Sequence, residues 1–262
     1  MTHRLPATLA ALAFAAPALA QSDDAELAKQ LANPVASLVS APFQYNYDSG
    51  FGEDGDGERS YINFQPVIPF SIGEDWNVIS RTILPLVWND GVIPGEDHQF
   101  GLGATTQSFF FSPKQPGGLT WGVGPAFLIP TATDHIATNQ WGAGLTGVAL
   151  RQSGPWTVGA LANHIWSVTG DDDDGDISST FLQPFVNYTT PTATSFFVNT
   201  ETTYDWESEQ WSVPINAGVN QLVTIGQQRV QFGVGARYWL ESPDAGPDGW
   251  GARAVVTFLF PR

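Results

Sequence analysis

The sequence predicts an all-β fold, namely a transmembrane β-barrel of twelve antiparallel strands that follows a short N-terminal periplasmic helix. Three observations support this prediction. Clusters of Gly, Pro, Asp and Asn divide the chain into segments of about ten to fourteen residues, the length that a tilted membrane strand requires. Apolar and polar residues alternate within most segments, as they do in a strand with two unlike faces. Tryptophans gather at segment ends, where an amphipathic ring prefers the membrane interface.

The N-terminal part of the chain is predicted to lie outside the barrel. Residues 1–20 resemble a secretory signal peptide, because a basic start leads into an apolar run that ends in Ala18-Leu19-Ala20. Residues 21–36 contain good helix formers that stop at Asn33-Pro34, which predicts a short periplasmic helix or a plug. Nowhere does the chain approach the ~20 consecutive apolar residues of a membrane helix, so strands must do any spanning.

Residues 37–262 are predicted to form the barrel. The second strand shows the alternation clearly, because Ile62, Phe64 and Ile68 share one face while Asn63 and Gln65 lie on the other. The facing of the sixth and seventh strands is open, since their alternation is less regular. The twelve strands are predicted at 37–48, 58–71, 76–89, 99–112, 119–130, 139–152, 156–168, 178–190, 196–206, 210–222, 229–240 and 250–260.

The third strand provides a test of length. Trp76 and Trp88 lie on the same face of it, and at ~3.3 Å per residue and a tilt of about 40° they are roughly 30 Å apart along the membrane normal. That separation brackets an apolar band ~25 Å tall. A secreted β-sandwich also has short strands with period two, but its aromatic residues need not gather at both strand ends.

The last predicted strand, residues 250–260, is apolar at every even position and begins with Trp250. Such a strand is typical of the closing strand of an outer-membrane barrel. We therefore expect the protein to be exported to the outer membrane of a Gram-negative bacterium. Its expected partners are outer-membrane lipids, lipopolysaccharide and the barrel assembly machinery, which would recognise the C-terminal strand.

The charge is strongly negative, with a formal net charge of -16 and 26 acidic residues. This excess argues against nucleic acid as a partner, and the absence of cysteine excludes disulfides. With both termini in the periplasm, most acidic residues fall in the predicted extracellular loops. One loop carries a cluster that predicts either a weak divalent cation site or a solvated acidic rim: Asp171, Asp172, Asp173, Asp174 and Asp176. No cofactor is predicted.

Polar residues on the inner faces of the strands are the candidate solute contacts. An arginine at mid-membrane would cost roughly 2 to 4 kcal/mol if it faced lipid, so the charges inside strands must face the lumen. Two interpretations are open: the charges pair and fill a narrow lumen, or they form a constriction that selects polar or anionic solutes. The candidates are Asn63, Gln65, Arg81, Gln107, Gln183, Asn187, Asn199, Glu201, Asn216, Arg237 and Arg253.

An enzymatic function is not predicted. Some outer-membrane barrels hydrolyse lipids with a serine and a histidine on their outer wall, and the candidate pair here is His164 and Ser167. Residues three apart in a strand face opposite sides, so these two cannot act together without a bulge.

The chain resembles the bacterial outer-membrane family named for the MetA pathway of phenol degradation. The matching stretches are residues 33–36, 42–44, 65–69, 76–85, 122–125, 130–134, 183–188 and 257–262. The resemblance implies an outer-membrane β-barrel that transports small molecules, and it brings no catalytic residues. We therefore expect a channel for small solutes, with aromatic or anionic compounds as candidates. The alternative is a non-conducting structural barrel with acidic surface loops.

Overall fold

The computed structural model of the protein describes residues 16–93, 95, 98–137, 139–169 and 175–260. These ranges contain one helix and fifteen strand segments. The elements are α1 (Ala16–Leu31), β1 (Val39–Phe51), β2 (Gly57–Phe64), β3 (Val67–Ile72), β4 (Trp76–Asp90), β5 (His98–Leu102), β6 (Thr105–Pro113), β7 (Thr120–Ile129), β8 (Trp141–Ser153), β9 (Trp156–Thr169), β10 (Ser178–Thr189), β11 (Thr194–Thr200), β12 (Thr202–Asp205), β13 (Gln210–Ile225), β14 (Gln228–Glu241) and β15 (Gly249–Phe260).

The fifteen segments make twelve antiparallel crossings of one closed sheet. Three crossings are each divided into two segments, namely β2 with β3, β5 with β6, and β11 with β12. The ring closes where β1 pairs with β15, with Val39 opposite Phe260 and Tyr47 opposite Ala252. Closure leaves no unpaired edge, which is what a sheet surrounded by lipid requires. The predicted fold class, a twelve-stranded antiparallel barrel, is confirmed.

The outer face of the barrel exposes large apolar side chains. Leu145, Val234 and Phe70 are 69%, 62% and 51% exposed, although each lies within a strand. Aromatic pairs flank this band at both ends, with ring centroids 5.8 Å apart for Trp76 and Trp121 and 5.1 Å apart for Trp88 and Phe100. Such a face suits a hydrocarbon solvent bordered by two interfaces. Within the described ranges, the chain forms no helix long and apolar enough to cross a membrane.

The two ends of the barrel differ in their connections. At the short-turn end, β1 begins and β15 ends, and the other strands are joined by tight turns. One such turn lies around Gly226, whose φ of 63° a glycine adopts without strain. The long-loop end carries the connections after β1, β4, β7, β9, β12 and β14. This alternation matches the predicted separation of short turns from long acidic loops.

A β-bulge changes the facing of one crossing. Between β5 and β6, Leu102 pairs with Leu86 and Thr106 with Ile83, so Gly103-Ala104 inserts one extra residue. The even positions therefore face outward in β5 and inward in β6. Gln107 consequently lies on the outer face, where Thr82 Oγ1 donates to its Oε1 at 2.6 Å. The prediction that Gln107 lines the lumen is wrong, because the bulge reverses the alternation on which it rested.

The interior is apolar along one side of the barrel. Residues with inward side chains form a buried cluster around Val35, which follows the helix: Ile79, Phe110, Val148, Leu150, Leu161 and Phe185. The facing of the sixth and seventh strands follows from this cluster. In β8, Val148 and Leu150 face inward and Leu145 faces outward, and in β9, Leu161 faces inward and Trp166 outward.

Helix α1 lies across the opening at the short-turn end. Its Lys29 carbonyl accepts a hydrogen bond from Gln152 of β8 at 2.9 Å, and Asp24 Oδ1 accepts one from Arg229 of β14 at 3.0 Å. Four crossings separate β8 from β14 on one side of the ring and six on the other, so the two contacts lie nearly opposite each other. Ala28 packs with Leu38 and with residues of β13 and β15. The N-terminal segment is therefore fixed to several sides of the wall.

Candidate pore constriction

A buried network of charges lies on the inner wall opposite the apolar cluster, and Arg237 is at its centre. This side chain is 2% exposed, and its Nη1 donates to Asp48 Oδ2 at 2.8 Å. Its Nη2 donates to Glu201 Oε2 at 2.7 Å and its Nε to Asn216 Oδ1 at 2.9 Å. Tyr61 Oη is a further partner. Strands from most of one half of the barrel are thus joined through a single guanidinium.

Glu201 joins this arginine to a second one. Arg253 donates from Nη1 to Glu201 Oε1 at 2.9 Å and from Nη2 to Glu201 Oε2 at 2.7 Å, a two-pronged contact that fixes both groups. The Nε of Arg253 donates to Asn46 Oδ1 at 2.8 Å. Glu201 lies between β11 and β12, and because both segments keep the same register with β13, the ordinary alternation places its carboxylate inside. Both of its oxygens are occupied.

Asp48 belongs to this network and not to a loop. It is 1% exposed, and its Oδ1 accepts a hydrogen bond from Trp239 Nε1 at 2.9 Å. The predicted end of the first strand at residue 48 is wrong, since β1 continues to Phe51 and Asp48 lies well inside it. The sequence does contain the signal. Gln44, Asn46 and Asp48 alternate with aromatic residues, so the period of two places Asp48 on the same inner face as the two amides.

Arg81 stands apart from the paired arginines. Its Nη2 donates to Gln65 Oε1 at 3.1 Å, and this is the one hydrogen bond of its side chain within the described part of the chain. In the same part of the chain, no carboxylate forms an ion pair with it, whereas Arg237 and Arg253 each have one or more. Its charge is therefore not neutralised by a direct contact.

Two cavities meet at Arg81. The loop-side cavity has a volume of about 700 Å³ and opens toward the long loops. The helix-side cavity, about 240 Å³, is bounded by residues 30–34 and by the inner wall. Four residues line both cavities and so mark the constriction between them: Gln44, Gln65, Arg81 and Gln183.

The loop-side cavity has two unlike walls. Asn63, Gln65 and Gln183 contribute amides near Arg81, and Glu201 closes that side with its occupied carboxylate. Apolar side chains on β4, β7, β9 and β10 form most of the remaining wall, with Thr106, Ser108 and Asn163 between them: Ile83, Leu128, Leu161, Ile165 and Phe181. A third cavity of about 590 Å³ lies beside the first under the loops, and Asn63 and Ser212 line both.

Ten of the predicted lumen residues do face inward. Asn63, Gln65, Arg81, Gln183 and Glu201 line the loop-side cavity. Asn187, Asn199 and Arg253 line the helix-side cavity, while Asn216 and Arg237 lie deeper in the charged network. Gln107 is the exception, as described above. Contact of any of these residues with a solute stays a prediction. The inward facing of these residues follows from alternation, but the pairing of Asn46, Asp48 and Tyr61 with Arg237 and Arg253 does not, because the partners are far apart in the chain.

The predicted cation cluster falls largely outside the described residues, which include neither Asp171, Asp172, Asp173 nor Asp174. Asp176 is described, and its Oδ1 accepts a hydrogen bond from Ser167 at 3.3 Å. Among the described residues there is no group of His, Asp and Glu that could hold a metal ion. The cation site stays a prediction.

His164 and Ser167 lie on opposite faces of β9. His164 faces outward, with its Nδ1 2.7 Å from Thr180 Oγ1 and its ring 4.0 Å from that of Trp166. Ser167 donates to Asp176 and accepts from the backbone N–H of Ile177. The two side chains therefore do not form a base and nucleophile pair, as the strand geometry predicts.

Comparison with known proteins identifies the family. The model of the family described as "Putative MetA-pathway of phenol degradation" matches residues 45–246. The chain belongs to this family. The match begins within β1 and ends after β14, so it covers the barrel of this MetA-pathway chain except for the start of β1 and the closing strand β15, which carries Arg253. No curated protein matches the chain significantly.

Several solved outer-membrane structures are similar to this MetA-pathway chain to different degrees. The COG4313 outer membrane channel from Pseudomonas putida F1 is 14% identical, with a TM-score of 0.66, over 86% of this chain and 96% of that one. The β domain of the Bordetella autotransporter BrkA is 12% identical with a TM-score of 0.48 over 84% and 98%. The calcium-bound outer membrane phospholipase dimer of Salmonella typhi has 12% identity and a TM-score of 0.48 over 92% and 97%. The first of these similarities supports the fold.

Proposed function

We propose that this protein is an outer-membrane channel for small solutes. The observation that carries the proposal is the continuity of the lumen, because the loop-side and helix-side cavities meet at Gln44, Gln65, Arg81 and Gln183. Together they extend from the long loops to the N-terminal segment. A lumen with polar groups and water-sized space along its length is what passage of a hydrated solute requires. Two findings support this proposal: the family model matches residues 45–246, and the COG4313 outer membrane channel shares the fold.

The orientation in the membrane follows from the same proposal. The apolar outer band lies in the hydrocarbon of the outer membrane, the short-turn end faces the periplasm, and the acidic loops face outward. There the loops meet lipopolysaccharide, and the closing strand β15 serves the barrel assembly machinery as its recognition element. The predicted signal peptide, residues 1–20, delivers the chain to the periplasm.

The N-terminal segment restricts the channel at its periplasmic end. Residues 30–34 bound the helix-side cavity, and Val35 is anchored in the interior apolar cluster. We therefore expect the full mature chain to conduct weakly and the chain without residues 21–34 to conduct more strongly.

The alternative is a structural barrel that does not conduct. One observation favours it: the charged network and the apolar cluster together occupy much of the cross-section, as side chains do in small closed barrels. Both functions are compatible with the same fold, so a measurement of transport must decide between them.

The experiment compares the mature chain, from Gln21, with the same chain lacking residues 21–34 in planar bilayers and in swelling liposomes. A channel gives discrete current steps and swelling in small neutral solutes, and the truncated chain gives larger steps. Circular dichroism and the heat-dependent mobility of a folded barrel on gels serve as folding controls. If both folded chains pass neither ions nor small solutes, the channel proposal is wrong and the structural barrel stands.

A further inference from the structure

We propose that Arg81 forms a binding site for small monocarboxylates that have an apolar body, at the constriction between the two cavities. This inference deepens the proposed channel function and rests on it for the route by which the ligand arrives. The site itself is defined by the loop-side cavity, whose lining combines one unpaired guanidinium with an apolar wall.

The balance of charge in the lumen singles out Arg81. Within the described residues, Asp48 and Glu201 form ion pairs with Arg237 and Arg253 and not with Arg81. A fourth inward arginine, Arg59, donates to Asn89 beside the third cavity and does not line the constriction. Glu201 accepts from Arg253 on both oxygens and from Arg237 on one, so it has little capacity left for a third cation. Arg81 is therefore the arginine of the constriction that has no ion pair within the described residues, although the charge of Glu201 acts on it at longer range.

The head group follows from the chemistry of that charge. A guanidinium has five N–H donors in one plane, and Arg81 uses one of them on Gln65. The remaining donors match a carboxylate, which can accept two parallel hydrogen bonds. Gln183 lines both cavities beside the arginine and supplies an amide that can donate to the same anion.

The body of the ligand follows from the opposite wall. Ile83, Leu128 and Phe181 are half-buried apolar groups that line the same cavity, and an uncharged body against them would release water from apolar surface. A fully polar anion would leave these apolar side chains in contact with water. The volume of about 700 Å³ accommodates a compact ring or short chain with space for water. The remaining carboxylates of the cavity are Asp176 and Asp205, which lie at its long-loop mouth and not at the constriction.

The test measures binding of cyclohexanecarboxylate to the full mature chain in detergent by isothermal titration calorimetry. Cyclohexanecarboxamide has the same body without the charge, and acetate has the charge with almost no body. We expect the carboxylate to bind at least about ten-fold more tightly than either, since both the charged hydrogen bonds and the apolar contact contribute.

Variants then assign the site. Arg81→Gln is expected to weaken binding of cyclohexanecarboxylate at least about ten-fold, and Arg81→Lys to restore part of the loss because it keeps the charge. Arg151→Gln removes an exposed arginine on the outer face of β8 and is expected to change nothing. Circular dichroism confirms that each variant is folded.

The outcomes separate the site from the channel. Equal binding to wild type and Arg81→Gln, or no binding to the folded wild-type chain, overturns the site even if the protein conducts. Binding that depends on Arg81 in a protein that never conducts supports the site and rejects the channel. Where the full chain does conduct, block of its current by cyclohexanecarboxylate is expected to require at least about ten-fold more ligand in Arg81→Gln.

Discussion

Glu201 receives hydrogen bonds from two arginines at the same time, and this makes it the most sensitive side chain of the interior. Replacing Glu201 with Gln leaves the two guanidinium groups close together without their shared anion. Removing one partner of a buried ion pair costs about 3 to 5 kcal/mol, and the 20% exposure of Glu201 places this case near the lower limit. We expect a loss of about 3 kcal/mol in the free energy of unfolding from lipid vesicles by urea, followed by tryptophan fluorescence.

Glu207→Gln is the matched control, because Glu207 is exposed in the connection between β12 and β13. Its unfolding free energy is expected to change by under about 0.5 kcal/mol. A Glu201→Gln barrel as stable as the control would show that the ion pairs contribute little and that the arginines are solvated by lumen water.

At the level of single residues, the sequence predicts facing well until the chain departs from strict alternation. The period of two places Arg81, Glu201, Arg237 and Arg253 on one face of their strands. Because an arginine that faces lipid is costly, that face is correctly predicted to be the inner one. It fails at Gln107, since a bulge of one residue leaves no mark in the pattern beyond the pair Gly103-Ala104. Pairing among the charges was not predictable, because it depends on which strands become neighbours across the lumen.

The outward face of β14 provides a test of the membrane environment at the scale of one strand. Val234 is 62% exposed and pairs with Ala254 near the middle of β15. If lipid covers this face, Val234→Arg is expected to destabilise the barrel by about 2 to 4 kcal/mol in the same vesicle assay. Gln227→Arg, in the exposed turn between β13 and β14, is expected to change stability by under about 0.5 kcal/mol. A neutral Val234→Arg would argue that this face meets water.

The N-terminal segment is held mainly by apolar contacts. The ion pair between Arg229 and Asp24 is partly exposed, so Arg229→Ala is expected to weaken docking by under about 1 kcal/mol. Val35 is 5% exposed within the interior cluster, and Val35→Ala removes two carbon atoms from it at a cost of about 1 to 2 kcal/mol. Hydrogen exchange of the backbone amides of residues 31–38 measures both effects. The idea of an apolar anchor fails if Arg229→Ala increases exchange more than Val35→Ala does.

Strands with one apolar face are the ones that the sequence predicts best. β13, β14 and β15 begin and end close to their predicted limits, since turn residues bound them and polar residues mark their inner face. β4, β6 and β8 carry apolar residues on both faces, as Phe109, Phe110 and Phe111 illustrate. In these strands the alternation does not distinguish a lipid-facing side chain from one in the interior cluster, so the apolar half of the lumen was not predicted.

The charge of the whole molecule is concentrated at the long-loop end and should influence which ions enter. Glu53, Asp54 and Asp56 are exposed there in one loop. If the barrel conducts, replacing all three with their amides is expected to reduce its preference for cations, measured as the reversal potential across a gradient of KCl. The difference should fall in 1 M salt, where the Debye length is about 3 Å.

The matched control neutralises Glu74 and Asp75, which are exposed in a turn at the opposite end. A shift in reversal potential of the same size for this pair would show that net charge, and not its position at the outer mouth, determines ion preference.

The architecture as a whole was predictable because lipid allows so few solutions. A chain that alternates, has no long apolar run and ends its strands with aromatic residues can satisfy its backbone in hydrocarbon only by closing a sheet. The contents of the lumen obey no such restriction. The ion pair of Arg237 with Asp48 joins residues 189 positions apart, and Val35 packs among residues from Ile79 to Phe185 that belong to several different strands.

The seam between β1 and β15 joins the two extremes of the barrel sequence, with Val39 opposite Phe260. Until the final dozen residues emerge, the first strand has no neighbour on one side, and its row of amide and carbonyl groups stays open to any other extended chain. The barrel can therefore close only after the end of the polypeptide has been made. A product that stops before Trp250 would have two unpaired edge strands and no closed barrel. Such a fragment is expected to aggregate or be degraded, and not to survive as a smaller pore.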